Sequence, residues 1–342
     1  MAALPKFGCD GRRIEYLSAW QRCQNIRARK PMSVAVDGET QTRTVAVIGL
    51  GAMGLGMAKS LLAAGLMVRG CDLSAAAVAA LAEAGGTGCT TLPEAVQGAS
   101  VVVSVVVNAD QTEAILFGPQ GIAEVMPANA VFVSCATMAP EKARDFAGRL
   151  EALGRLYLDA PISGGAARAA KGELTILASG RPEAFAAADA ALEAMSAKLY
   201  RLGDAAGTGA AFKMINQLLA GVHIAAACEA ITFAARQELD LEMVYEVITA
   251  SAGNSWMFEN RIPHVLAGDY RPLSAVEIFV KDLGIIQDMA RAARYPVPLA
   301  AAALQLYLGA AGAGMGRDDD SSLARLYAGL SGVTLPKGES VS

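Results

Sequence analysis

The hydrophobic rhythm of the chain changes once. From residue 44 to about 205, short apolar runs alternate with helical patterns; from Thr208 to about 330 only helical periodicity remains. Residues 44–48, 66–72, Ala99–Val107, Ala130–Cys135, Leu156–Asp159 and Leu174–Ser179 read as strands. Their Val and Ile content suits strands covered on both faces. Residues 55–65, 74–84, 110–117, 140–153 and 182–196 read as helices, the first closed by Gly65 as a C-cap and the fourth opened by Pro140 in its first turn. Such alternation predicts a doubly wound parallel sheet. Beyond it the spacing predicts a long helix over 208–236. Further helices follow over 240–251, 255–267, 275–293, 297–311 and 320–329, with Asp320 or Ser321 as N-cap of the last. The expected architecture is therefore α/β followed by all-α: a leader at 1–43, a first domain at 44–206, a helical domain at 207–334 and a tail at 335–342. A ligand cleft belongs where the C-terminal ends of the strands face the helices.

Bulk composition narrows the function classes. With 54% hydrophobic and 18% charged residues the chain is globular, and a net charge of −4 gives no attraction for nucleic acid or an anionic membrane. Residues 297–316 are apolar apart from Gln305. The run is mostly Ala and Gly and carries Pro298, so it reads as a buried helix and not a membrane span. The first 31 residues are rich in arginine and have no apolar signal core, and Met32 opens a polar lead into the first strand. The leader is expected to be flexible and foreign to the fold. The six cysteines (9, 23, 71, 89, 135 and 228) have no CxxC spacing, and two lie in expected buried strands. This fits a reducing cytoplasm and predicts no metal site.

The first strand runs straight into Gly49-Leu50-Gly51-Ala52-Met53-Gly54. In such a turn Gly49 permits the tight bend, Gly51 lets the backbone approach a pyrophosphate, and Gly54 lets helix and strand pack closely. The helix N-terminus then faces the phosphates. The second strand ends at Asp72, 23 residues after Gly49, where an acid accepts hydrogen bonds from the adenosine ribose. The ordered set strand, glycines, helix, strand and acid predicts a Rossmann-type domain. An acid at 72 repels a 2′-phosphate, so the expected cofactor is NAD. Asn108 and Thr137, at two later strand ends, belong on the same sheet edge.

Three further clusters carry candidate chemistry. On the long helix, Gly209, Lys213, Asn216 and Gln217 share one face among apolar neighbours. Spacing alone leaves an exposed polar stripe and a functional lysine equally open. Lys281-Asp282, inside Phe279–Gly284, reads as a surface pair or as part of a site. Asp159-Ala160-Pro161-Ile162-Ser163-Gly164-Gly165 ends a strand in a Gly-Gly loop, which is either an ordinary junction or a nest of N–H groups able to bind a carboxylate. His223 sits in an apolar helix and reads as a core residue. Neither it nor His264 comes with an Asp or Ser arrangement that suggests a relay. Trp256 and Phe258 read as packing residues.

Together these pieces resemble the β-hydroxyacid dehydrogenase family, related to 3-hydroxyisobutyrate dehydrogenase. The resemblance runs from about Thr44 to Leu330 through four ordered motifs: GLGAMG at 49–54, DAPISGG at 159–165, GTGAAFKMINQ at 207–217 and KDLG at 281–284. It implies that Lys213 is the catalytic acid/base and that Ser163, Gly164 and Gly165 hold the substrate carboxylate. Asn216 and Gln217 would contact substrate, and Thr137 and Lys281 would touch the nicotinamide end of NAD. It also implies a homodimer or homotetramer. Two departures stand out: Gln217 replaces the usual second asparagine, and Ala136-Thr137 replaces the usual Ser-Thr. The stretches KMINQLLAGVHIAAACEA and NSWMFENRIPHV are similar to the L-threonate dehydrogenase branch, which implies a small sugar acid oxidised at C2. The rival of another class, a non-catalytic dinucleotide-binding protein, would be marked by loss of the lysine that this chain keeps at 213.

Overall fold

A computed structural model describes residues 43–338; the leader expectation for 1–43 and the cysteines at 9 and 23 fall almost wholly outside that range. The first strand, β1 (Thr44–Ile48), sits mid-sheet. It is followed by α1 (Ala52–Ala63), β2 (Met67–Cys71), α2 (Ala75–Glu83), β3 (Thr87–Cys89), α3 (Leu92–Val96), β4 (Val101–Ser104), α4 (Ala109–Phe117), β5 (Val131–Ser134), α5 (Pro140–Ala152) and β6 (Leu156–Asp159). The six strands are all parallel in the order β3-β2-β1-β4-β5-β6. This is the dinucleotide-binding order, with strand order reversing between β1 and β4.

Period-two alternation divides each strand between two cores. Val45, Val47, Val101, Val103, Val131 and Val133 pack on one face against Met57 and Leu61 of α1 and Phe185 and Leu192 of a later helix. Ala46, Ile48, Val102 and Phe132 pack on the other against Ile115, Phe146, Leu150 and Tyr157. Each fully buried Val or Leu contributes on the order of 1.5–3 kcal/mol. Filling both faces is why the strands read as unbroken apolar runs.

After β6 the chain leaves this sheet. The strands β7 (Ile162–Ser163), β8 (Leu174–Ala178) and β9 (Ser196–Arg201) form a separate three-stranded sheet, with α6 (Gly165–Ala169) and α7 (Pro182–Met195) between them. The expectation that 174–179 extends the large parallel sheet is thus corrected: β8 pairs antiparallel with β7 and parallel with β9. An isolated antiparallel bridge between Asp159 and Ser179 joins the two sheets.

The helical part comprises α8 (Thr208–Arg236), α9 (Leu241–Thr249), α10 (Trp256–Ala267), α11 (Val276–Ala293), α12 (Pro298–Ala310) and α13 (Leu323–Ser331). Helix α8 serves both halves. Ala210 in its first turn belongs to the sheet core, while Met214, Ile224, Cys228 and Ile231 belong to the helical core with Phe279, Leu283 and Tyr307. Gly221 lets α11 approach, since a Cβ there would stand 3.0 Å from the Phe279 ring. Helix α8 and the 298–315 segment are long and apolar enough to cross a membrane by length and composition; half of the most apolar window of α8 is buried inside the protein.

Local expectations are met at some positions and corrected at others. The last helix is preceded by a short 3-10 turn (Asp320–Ser322), and the cap is Asp319, whose Oδ1 accepts from Ser321 N at 3.1 Å. His223 is half-buried rather than core. His264 does find an acid, with Nδ1 3.3 Å from Asp319 Oδ1. Phe258 is buried and stacked on Tyr245, while Trp256 is exposed. Cys71, Cys89, Cys135 and Cys228 are buried free thiols.

Candidate active site

The glycine turn is built as its residue types require. Gly49 has φ +89°, and a Cβ there would overlap the Val105 carbonyl. A Cβ on Gly54 would overlap the carbonyl of Gly49 itself. Gly51 caps α1 and has nothing within 4 Å of the place its Cβ would occupy. Helix α1 has neither an acid in its first turn nor a side-chain cap. Its first N–H groups therefore face an open, uncontested space suited to an anion. Leu50 and Met53 turn their side chains to the core, leaving Gly51 and Ala52 exposed.

Asp72 at the end of β2 braces this turn. One carboxylate oxygen accepts from Leu50 N at 2.6 Å and the other from Ser74 N at 2.7 Å. Each oxygen keeps a further lone pair for a ribose hydroxyl. The geometry fits a dinucleotide lying over Gly51 with its adenosine ribose beside Asp72.

Thr137 and Lys281, the two residues expected at the nicotinamide end, come together near Asn108, which is expected on the same sheet edge. Lys281 Nζ donates to the carbonyl of Val107 at 2.8 Å and lies 3.4 Å from that of Thr137. These carbonyls stand just beyond β4 and β5, and Asn108 is next to the first. Asn108 Oδ1 is occupied as the cap of α4, accepting from Gln111 N at 2.9 Å. Lys281 Nζ also stands 2.8 Å from Asp282 Oδ1, which takes no hydrogen bond.

Lys213 is 7% exposed on α8. Burial disfavours its ammonium form and pushes its pKa down to about 8; the Asp282 carboxylate opposes that shift, and the Lys281 charge adds to it. The polar stripe inferred from spacing is therefore a buried one at 213 and 217, with Asn216 exposed beside it.

Gln217 departs from expectation. Its Nε2 donates to Asp282 at 2.5 Å, and its Oε1 accepts from Asn216 Nδ2 at 3.0 Å. Both ends of the amide are engaged within the protein, because the extra methylene lets it reach α11. The loop at Ser163–Gly165 takes the unusual backbone that only glycines accept, with φ +139° at Gly164 and +79° at Gly165. Its following helix is tied to α1 by Ser60 Oγ donating to Ala169 O at 2.7 Å.

Sequence reasoning missed two members of the site. Asp282 was seen only as a neighbour of Lys281. Asp159 was seen as a strand end, yet it holds the N-terminus of α8 from 48 residues away.

The chain is similar to known proteins over nearly all of its described length. Residues 44–203 match the NAD binding domain of 6-phosphogluconate dehydrogenase, and residues 207–327 match the NAD-binding domain of NADP-dependent 3-hydroxyisobutyrate dehydrogenase. The chain is 52% identical over 289 residues to L-threonate dehydrogenase of Cupriavidus necator, covering 84% of this chain and 97% of that protein. The chain belongs to the β-hydroxyacid dehydrogenase family. Another member of the family, L-threonate dehydrogenase of Haemophilus influenzae, is 46% identical over 300 residues, 87% of this chain and 99% of that one. The crystal structure of a family member from Salmonella typhimurium, described as 3-hydroxyisobutyrate dehydrogenase, superposes with a TM-score of 0.80 at 45% identity, covering 83% of this chain and 99% of that one. The family's nucleotide half and helical half are both present.

Proposed function

We propose that this protein oxidises L-threonate at C2 to the 2-oxo acid (2-dehydro-L-erythronate) with NAD⁺, using Lys213 as general base. The observation that carries the proposal is the burial of Lys213, with its pKa pushed down to about 8, beside the Lys281 and Asp282 that border the strand ends. A free lysine near 10.4 is a poor base at neutral pH; one near 8 is neutral often enough to accept a proton.

The division of labour follows from the residues. Gly49–Gly54 and Asp72 hold the dinucleotide; Asn108, Thr137 and Lys281 border its nicotinamide end. The chemistry supplied by the bound cofactor is acceptance of a hydride. Ser163, Gly164 and Gly165 receive the substrate carboxylate. Asn216, exposed beside the buried Lys213, orients a substrate hydroxyl, and Gln217 supports Asn216 and Asp282. Lys213 takes the proton of the C2 hydroxyl as the C–H bond breaks, and returns it in the reverse reaction.

We assign residues 44–206 to nucleotide binding and 207–334 to substrate and self-association. Phe212, Ile215, Leu219 and Phe233 stand exposed on α8, which supports a homodimer or homotetramer. A net charge of −4 and free thiols support a cytoplasmic enzyme without nucleic-acid or membrane partners.

The test is NADH formation by the purified chain with L-threonate, D-glycerate and 3-hydroxyisobutyrate. L-Threonate is expected to give the highest kcat/KM. A higher value with 3-hydroxyisobutyrate would reassign the substrate, and no NADH with any of the three would remove the dehydrogenase reading.

A further inference from the structure

Helix α8 has no cap of its own. Gly207, the residue before it, has φ +98°, and no side chain from the local sequence reaches the first turn. The free N–H groups are met from elsewhere. Asp159 Oδ2 accepts from Gly207 N at 2.9 Å and from Ala210 N at 2.8 Å. Ser179 Oγ accepts from Gly209 N at 2.9 Å and donates to the same Asp159 oxygen at 3.3 Å. Asp159 is 1% exposed and Ser179 is fully buried. The helix start is pressed home: a Cβ on Gly209 would overlap the Leu177 carbonyl, and one on Gly207 would stand 2.8 Å from the Arg144 guanidinium.

We propose that Asp159 is a positioning residue for the oxidoreduction: with Ser179 it clamps the first turn of α8 to the end of β6 and so sets where the Lys213 side chain stands relative to the substrate loop. The inference rests on the assignment of Lys213 as acid/base. Its physical basis is short reach. Lys213 lies one helical turn beyond Gly209, about 6 Å along the axis. The substrate loop starts at Ser163, four residues after Asp159 in the chain. One carboxylate therefore ties the helix that carries the proton acceptor to the strand that leads into the loop. A misplacement of about 1 Å between reacting groups costs roughly 100-fold in rate, so small slack at this clamp reaches the chemistry.

The clamp depends on charge. An anionic cap meets both the free N–H groups and the positive end of the helix dipole. Burial pushes the Asp159 carboxyl up to about 6, against the hydrogen bonds from Ala210, Gly207 and Ser179 and the charge of Arg144 on α5. Its other oxygen, Oδ1, is buried without a partner. The remaining titratable groups that feel it are Tyr157 on its own strand and Cys135 just past β5, both held neutral by burial. Protonation in mildly acidic solution therefore weakens the clamp at a pH well below the titration of Lys213.

The experiment uses the full chain carrying Asp159→Asn or Ser179→Ala, with L-threonate and NAD⁺. In the parent protein, log kcat is expected to fall with slope one below about pH 8 and to steepen below about pH 6. In Asp159→Asn the steeper limb disappears and kcat drops about 10- to 100-fold at its plateau, while KM for NAD⁺ stays within about twofold. Amide exchange at Gly207, Gly209 and Ala210 quickens in both variants, and Ser179→Ala loses rate in the same direction by a smaller factor. Faster exchange with unchanged kcat and an unchanged acid limb would overturn the proposal, leaving Asp159 a purely structural cap. Should Asp159→Asn fail to fold, unchanged kcat and exchange in Ser179→Ala overturns it alone. Absence of turnover in the parent protein with every sugar acid tried would instead sink the functional assignment, and the exchange data would still decide whether the clamp exists.

Discussion

The amide nitrogen of Gln217 lies 2.5 Å from a carboxylate oxygen of Asp282, and both side chains are buried. The contact joins α8 to α11 within the surroundings of Lys213. Shortening the side chain in Gln217→Asn, the residue usual in the family, removes the reach to Asp282. A buried carboxylate left without its donor costs about 1–3 kcal/mol. The variant is expected to melt earlier and to lose turnover with L-threonate, as Asn216 loses its neighbour. Thermal melts and initial rates check this; an unchanged melting temperature would show that the bond contributes nothing.

With Lys213 as the proposed acid/base, the pH dependence of turnover follows from its titration. Oxidation needs the neutral amine, whose population rises with pH through about 8 and then levels. Reduction needs the ammonium, so its rate is highest below that value and falls above it. Above about pH 6, where the Asp159 clamp is intact, the two profiles are therefore expected to be mirror images crossing near pH 8. Replacing Lys213 with Ala should lower turnover by at least about 100- to 10,000-fold, the range for losing a general acid/base, with NAD⁺ affinity nearly unchanged. Rates in both directions together with nucleotide titration provide the measurement. Retained activity would show that another group moves the proton.

The glycine turn separates folding from binding. Gly54→Ala places a Cβ inside the Gly49 carbonyl, and the turn must break to admit it. That variant is expected to be poorly folded or strongly destabilised. Gly51→Ala meets nothing within 4 Å in the protein itself. It is expected to keep its melting temperature and to lose affinity for NAD⁺, because the added methyl occupies the approach of the pyrophosphate. Melting curves and nucleotide titrations of the two variants give opposite patterns if the turn holds the dinucleotide.

Elements with a strong local rhythm were legible in the sequence. The long helix was expected over 208–236 and is found at Thr208–Arg236; β6 likewise matches at Leu156–Asp159. The apolar run Ala99–Val107 forms only a four-residue strand, because its pairing partners end at Ile48 and Ser134, level with Ser104. Strand β9 has no counterpart among the expected elements, since it is an edge strand with no buried side chain to mark a period of two. The site shows the same division. Lys213, Lys281 and the glycines are marked by their type and spacing. Asp159 and Asp282 are not, because what matters about them is a partner 48 to 65 residues distant, which no local pattern records.

Under the proposed function cofactor choice turns on Asp72, the residue proposed to meet the ribose hydroxyls. The structure shows that it also holds Leu50 N and Ser74 N in the turn. Asp72→Asn keeps one acceptor oxygen and removes the charge that repels a 2′-phosphate. Losing a charge-assisted hydrogen bond costs about 1.5–3 kcal/mol, so NAD⁺ affinity is expected to fall by roughly 10- to 100-fold. NADP⁺ affinity should fall less, since the lost bracing is offset by the lost repulsion. The ratio of kcat/KM for the two nucleotides therefore moves towards NADP⁺ even though both reactions slow. A parallel drop for both nucleotides would mean that Asp72 only braces the turn, and that discrimination lies elsewhere on the sheet edge.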